Sequence, residues 1–182
     1  MDLSLRKYYN LIFYNLIHNN KNLKNLILLE KKIKKIKKIN KKIIIIANGG
    51  SFAIANHVAL DLSNSAKIRT ISFSDPSLIT CLTNDYGYEN FYKKALDIYS
   101  DFKDGLIAIS SSGMSKNIIN AVKKNKKKFS FIATFTGFNK NNLLKKLSNL
   151  SFHVESNNYN IIESVHQIWL LSLVDKIAKK KL

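Results

Sequence analysis

The stretch from residue 43 to residue 56, IIIIANGGSFAIAN, constrains the fold of this chain more than any other. Four consecutive isoleucines make a short, continuous apolar run, the pattern of a strand buried on both faces. Asn48-Gly49-Gly50-Ser51 then interrupts the run, and helical spacing begins. A strand, a glycine turn and a helix start together make an anion site. The first N–H groups of the helix lack intrahelical partners, and that end of the helix dipole is positive. The glycines let the backbone approach a ligand closely, and Ser51 can cap the helix or donate to a phosphate oxygen. No Gly-Lys-Ser or Gly-Lys-Thr follows, so this is not a triphosphate loop, and the third glycine of the dinucleotide fingerprint is missing.

Residues 105–117 repeat the arrangement. A buried strand leads into Ser110, Ser111, Ser112, Gly113, Met114 and Ser115, and then into a helix carrying Ile118, Ile119 and Val122. One serine is enough to cap a helix. Four serines and a glycine within six residues exceed that need. Hydroxyls and free N–H groups converging on one point suit the several oxygens of a phosphate. Neither turn contains a lysine, so the implied ligand is a monophosphate held by neutral donors, without a triphosphate's magnesium.

Strands are expected near 43–47, 68–73, 106–110, 129–134 and 150–154. Helices are expected near 52–64, 76–83, 88–100, 115–126, 141–148 and 160–180. This alternation predicts an α/β fold with a parallel sheet covered on both faces and ligands beyond the carboxyl ends of the strands. Both glycine and serine turns take that position. Pro76, after Asp75, fits the first turn of a helix. Ahead of this 43–182 core, residues 4–40 read as one or two helices with an apolar stripe of Leu11, Ile12, Leu16, Leu26, Leu29, Ile33 and Ile36. The 182 residues, 46% hydrophobic, suit one domain over 1–182. The lone Cys81 excludes an intrachain disulfide and a cysteine zinc cluster and fits a reducing cytoplasm. No apolar run approaches the roughly 18 residues of a membrane span, and MDLSLRKYYN does not read as a signal peptide.

The formal net charge is +18, from 30 basic and 12 acidic residues. A charge of that size raises nucleic acid as a partner. Its distribution argues otherwise. Eight lysines in KKIKKIKKINKK, residues 31–42, are interrupted by Ile33, Ile36 and Ile39 at helical spacing, which reads as a solvated face. Five more at 123–128 end a helix, where cations favour the dipole. Heavy use of Lys, Ile and Asn throughout also points to compositional bias. Neither specific nucleic-acid binding nor a membrane-surface role is favoured; a positive field that attracts anionic sugar phosphates is the milder consequence.

His57 and Asp61 are four apart on an expected helix and share a face, which suits joint metal ligation or a base with its orienting partner. A histidine bonded to a carboxylate one turn away for purely structural reasons has the same spacing. On the last helix, Glu163, His166 and Gln167 share a face beside the apolar stripe of Ile162, Val165, Trp169 and Val174. They form a catalytic set or simply the polar edge of that stripe.

In order and spacing, the blocks NGGS-x5-H-x3-D, Ser74-Asp75, Asn84-Asp85-Tyr86-Gly87-Tyr88 and SSSGMS resemble the sugar isomerase (SIS) domain family, and within it the phosphoheptose isomerases. The resemblance runs from about residue 43 to the C-terminus. It implies a three-layer α-β-α domain with a five-stranded parallel sheet and leading N-terminal helices. The activity it implies is aldose–ketose isomerisation of a phosphorylated sugar, sedoheptulose 7-phosphate to glycero-manno-heptose 7-phosphate, for bacterial heptose and surface-polysaccharide synthesis. It implies a cytoplasmic homotetramer with sites at subunit contacts and the leading helices in the assembly core. Ser51, Ser110, Ser112 and Ser115 correspond to phosphate-binding residues; Asn48, Gly49, Gly50, Asn84, Asp85 and Ser111 would meet the sugar, with 84–87 as a turn beside it.

The family pattern also has His-x3-Glu in the first helix and, in the last, a glutamine followed eight residues later by histidine. Here His57 matches, Asp61 replaces the glutamate, Glu163 stands at the glutamine and Leu171 at the histidine. Ser65 stands at an expected arginine and Asn160 at an expected aspartate. In an active isomerase with this set, Glu163 is the base, assisted by His57, Asp61 or His166, and zinc, if held, takes His57, Asp61 and Glu163 with water in an open position. Two other readings stand beside it: a catalytically silent sugar-phosphate-binding SIS protein with a regulatory or protein-binding role, and a basic nucleic-acid-associated protein. Leu171 weighs against the first reading, the retained His57, Asp61 and Glu163 against the second, and the intact serine turn against the third.

Overall fold

The structure, a computed structural model, describes residues 3–18 and 20–180. Its isoleucine run forms β1 (Ile43–Ala47), buried at every position. With β2 (Thr70–Ser72), β3 (Gly105–Ile109), β4 (Phe131–Thr136) and β5 (Leu150–His153) it makes a five-stranded, all-parallel sheet in the order β2-β1-β3-β4-β5. The β1–β3 register pairs Ile43 with Gly105 and Ala47 with Ile109, so the two turns leave the sheet side by side.

The continuous apolar strands follow from helices on both faces. Ile43, Ile45 and Ala47 point to one layer, formed by α2 (Asn20–Lys38), α3 (Gly49–Asn64) and α8 (Tyr159–Ala178). Ile44 and Ile46 point to the other, formed by α4 (Pro76–Tyr86), α5 (Phe91–Tyr99), α6 (Lys116–Asn125) and α7 (Leu143–Lys146). Each fully buried isoleucine contributes roughly 1.5–3 kcal/mol. These are the three layers that the alternation predicts.

The leading region divides into α1 (Leu3–Ile17) and α2. Leu29, Ile33 and Ile36 are buried, and α2 is tied to β5 by Asn22 and Asn25, which donate to the carbonyls of His153 and Ser151, each at 2.9 Å. Leu11 of the stripe stays exposed, as does Ile39 just beyond α2, so part of this apolar surface has no cover within one chain. The helix expected over 88–100 begins instead as a 3-10 turn, Tyr88–Asn90, before α5. Gly87 (φ 77°) ends α4, and its carbonyl accepts from Asn90 N–H at 3.0 Å, a tight turn. Among the described residues no helix is long and apolar enough to cross a membrane.

Candidate active site

β1 and β3 are neighbours at the point where the order of strands reverses, and a crevice opens there beyond their carboxyl ends. α3 and α6 begin in that crevice. Gly49 takes φ +57°, which only glycine adopts without strain, and turns the chain into α3. Asn48 and Ser115 hold the N-cap positions of α3 and α6, yet neither side chain caps its helix. By contrast, Asp75, Asn142 and Asn158 cap α4, α7 and α8 with their side-chain oxygens. The start of α3 therefore keeps its first N–H groups for something else, whereas at the start of α6 the Ile118 N–H donates to Asn117 Oδ1 at 2.9 Å.

Asn48 is otherwise engaged. Its amide pairs reciprocally with that of Asn117, at 2.9 Å in both directions, and its Oδ1 accepts from Tyr88 Oη at 3.0 Å. This bracket joins the two turns. Between them lies a cavity of about 400 Å³ lined by Asn48, Gly49, Gly50, Ser51, Ser110, Ser111, Ser112, Ser115, Tyr159 and Glu163. All the serines expected to hold phosphate face it. Ser110 and Ser115 share a hydrogen bond at 3.0 Å, and Ser112 Oγ accepts from Met114 N–H at 3.2 Å. Ser111 Oγ is buried with no partner in the protein. Gly113 (φ +66°) lets this loop close over Asn142; a Cβ there would stand 2.2 Å from the asparagine side chain.

A second cavity of about 390 Å³ adjoins the first, lined by Gly50, Ala53, Ile54, His57, Asn160, Glu163, Ser164 and Gln167. Gly50 and Glu163 belong to both cavities. Glu163 reaches α3 closely enough for Ser51 Oγ to donate to its Oε1 at 2.9 Å. A Cβ on Gly50 would lie 2.4 Å from Oε2, so glycine is what lets α8 bring its carboxylate there. His57 Nε2 stands 3.4 Å from Asp61 Oδ2, the one-turn pairing expected of them. Serine donors on one side and a carboxylate with a histidine on the other suit a phosphorylated substrate and proton transfer. A larger cavity, about 650 Å³, lies away from this chemistry between α2 and α8, its lining divided between Leu23, Leu26, Ile27 and Leu173 and the charged Glu30, Asp175, Lys176, Lys179 and Lys180.

Three expectations need correction. His166, expected to assist catalysis, is fully buried: its Nε2 meets the Thr136 carbonyl at 3.2 Å and its ring lies edge-on to Phe135. Burial pushes it down to about 3, so it stays neutral and sealed from both cavities. Asn84 and Asp85, expected in a turn beside the sugar, lie in the last turn of α4, exposed, and line neither cavity. The block reaches the crevice through Tyr88 instead. The zinc set of His57, Asp61 and Glu163 does not converge: among the described residues no three His, Cys, Asp or Glu side chains meet at one point, and Glu163 is turned toward Ser51. That set does not fit a tetrahedral zinc centre within one chain. Leu171 packs against the core.

Asn117 and Tyr88 escaped the sequence reading as site residues. Tyr88 sits inside a motif block, and Asn117 lies two residues after the last serine, but nothing in their spacing says that they bracket Asn48.

The fold and the crevice define a sugar-phosphate-handling α/β protein of the SIS type. No protein-family model matches the chain. A phosphoheptose isomerase of Buchnera aphidicola is 30% identical over 177 residues, covering 94% of this chain and 91% of the relative. One of Cytophaga hutchinsonii is 43% identical over 101 residues, a stretch that spans 53% of each chain. The solved structure of a phosphoheptose isomerase from Francisella tularensis matches with a TM-score of 0.85 at 22% identity, covering 97% of both chains. The chain belongs to the phosphoheptose isomerase family.

Proposed function

We propose that the protein isomerises a phosphorylated sugar, and that the sugar is sedoheptulose 7-phosphate, converted to glycero-manno-heptose 7-phosphate for bacterial surface-polysaccharide synthesis in the cytoplasm. The observation that carries the reading is Glu163, whose carboxylate lines both the serine cradle and the His57 cavity. A phosphate in the cradle, bound by Ser51, Ser110, Ser112 and Ser115 and by the uncapped starts of α3 and α6, leaves the carbonyl end of the sugar to the second cavity. Glu163 takes a proton from C1 of the ketose, giving an enediol, and returns it to C2, giving the aldose. His57, oriented by Asp61, moves the proton between the two oxygens. The family names of the relatives support the substrate class.

The exposed apolar side chains of α1, among them Leu5, Tyr9 and Phe13, support assembly into a homotetramer through that helix. A silent sugar-phosphate binder is the second reading, favoured by Leu171 at the expected histidine position. Incubation with sedoheptulose 7-phosphate, with and without added zinc, separates the two. Appearance of the aldose phosphate is the expected result. Saturable binding without turnover would establish the silent binder.

A further inference from the structure

Ser51 serves two sites with one proton. It is 3% exposed, it lines the serine cradle, and it gives its hydroxyl hydrogen to Glu163 Oε1 at 2.9 Å. A hydroxyl has one hydrogen to donate. The Glu163 carboxylate also sits against the first turn of α3, so close to Gly50 that a side chain there would clash with Oε2. That is the uncapped, positive helix start, where an anion gains most. A phosphate entering the cradle seeks the same hydrogen and the same helix start. Two anions a few ångströms apart repel, and neither cavity is lined by a lysine or arginine to offset them.

We propose that Glu163 and the substrate phosphate compete for Ser51 and the start of α3, so that phosphate docking releases the carboxylate into the His57 cavity. The Ser51 hydrogen turns from Oε1 to a phosphate oxygen; no covalent bond changes. Glu163 already forms the wall between the cavities, so a side-chain rotation suffices. The base is then held while the cradle lacks phosphate and freed by the phosphorylated sugar itself, which makes the phosphate a condition for turnover as well as an anchor. This rests on the phosphate reading of the cradle.

Titration with inorganic phosphate, followed by calorimetry, tests it on the wild type, Glu163→Gln and Ser51→Ala. Glu163→Gln, isosteric but uncharged, is expected to bind phosphate about tenfold more tightly than the wild type. Ser51→Ala is expected to bind it more weakly. In wild-type protein carrying 13C-carboxyl glutamate, one carboxylate signal should move on saturation with phosphate while those of Glu30, Glu89 and Glu155 stay still. That measurement decides the matter even where a variant fails to fold. Equal or weaker binding by folded Glu163→Gln, or no moving carboxylate, overturns the competition and leaves the cradle standing. No phosphate binding by either folded protein overturns the cradle and the competition together.

Discussion

At the scale of single residues, the proposed chemistry turns on Glu163. Its replacement by glutamine keeps shape and removes the base, so turnover should fall by about 10²–10⁴-fold with little change in thermal stability. Gly50→Ala tests position instead of charge. A Cβ at that point would displace the carboxylate from its resting place beside Ser51, so the variant should show a lower KM for the phosphorylated sugar, the carboxylate no longer competing with the phosphate. Steady-state kinetics beside a melting curve separates this from unfolding. The serine turns were legible because hydroxyls in excess of a cap have few other uses. His166 was not. Relative to Glu163, a step of three residues rotates about 60° one way and a step of four about 40° the other. Gln167 thus reaches the cavity, while His166 turns under the sheet against Phe135. Helical spacing states that two residues are near one face and does not state where the neighbouring layer ends.

At the scale of elements, caps explain both the successes and one error. Asp75 accepts from Leu78 N–H at 2.8 Å and Pro76 begins α4, and the helix so started runs through Asn84 and Asp85 to Tyr86, with Gly87 as its C-cap. Those two residues carry turn propensity, and a well-capped helix overrides it. All five strands were legible in place, though β2 is shorter than the expected 68–73 and β4 runs later than the expected 129–134, since an apolar run marks a buried strand more sharply than it marks where pairing begins and ends. The loop before α6 depends on Gly113. Gly113→Ala adds the cost of a left-handed alanine, roughly 1–2 kcal/mol, and a clash with Asn142, the cap of α7. Thermal unfolding should show a loss of at least that size, with weaker phosphate binding because Ser112 and Ser115 flank the glycine.

For the whole molecule, the paired buried histidines predict acid sensitivity. Burial pushes His166 down to about 3 and, with the charges of Lys145 and Lys140 adding to it, His153 down to about 4, against an ordinary 6.5. The folded state keeps both neutral where the unfolded chain takes up protons. Their contribution is therefore complete above 6.5 and is lost as pH falls from there toward the folded values, by up to about 1.4 kcal/mol per pH unit for each histidine. Urea unfolding near neutral and about 1.5 pH units lower should show this loss, and His166→Leu should reduce it. The high net charge was plain in composition, but which apolar residues of α1 and α2 lie open was not, since a stripe reads the same whether its own chain or another covers it. With α1 assembled as proposed, sedimentation should give a tetramer, and Phe13→Lys should yield smaller species.

The proposed function rests on this crevice moving a proton between C1 and C2 of a phosphorylated sugar by means of Glu163. Incubation of sedoheptulose 7-phosphate with the protein in deuterium oxide, followed by NMR of the recovered sugars, tests it most directly. Glycero-manno-heptose 7-phosphate carrying deuterium at C2 is the expected product, with formation and labelling both about 10²–10⁴-fold slower for Glu163→Gln. Unlabelled, unconverted sugar from folded wild-type protein that binds it saturably would overturn the isomerase and leave a sugar-phosphate binder in its place.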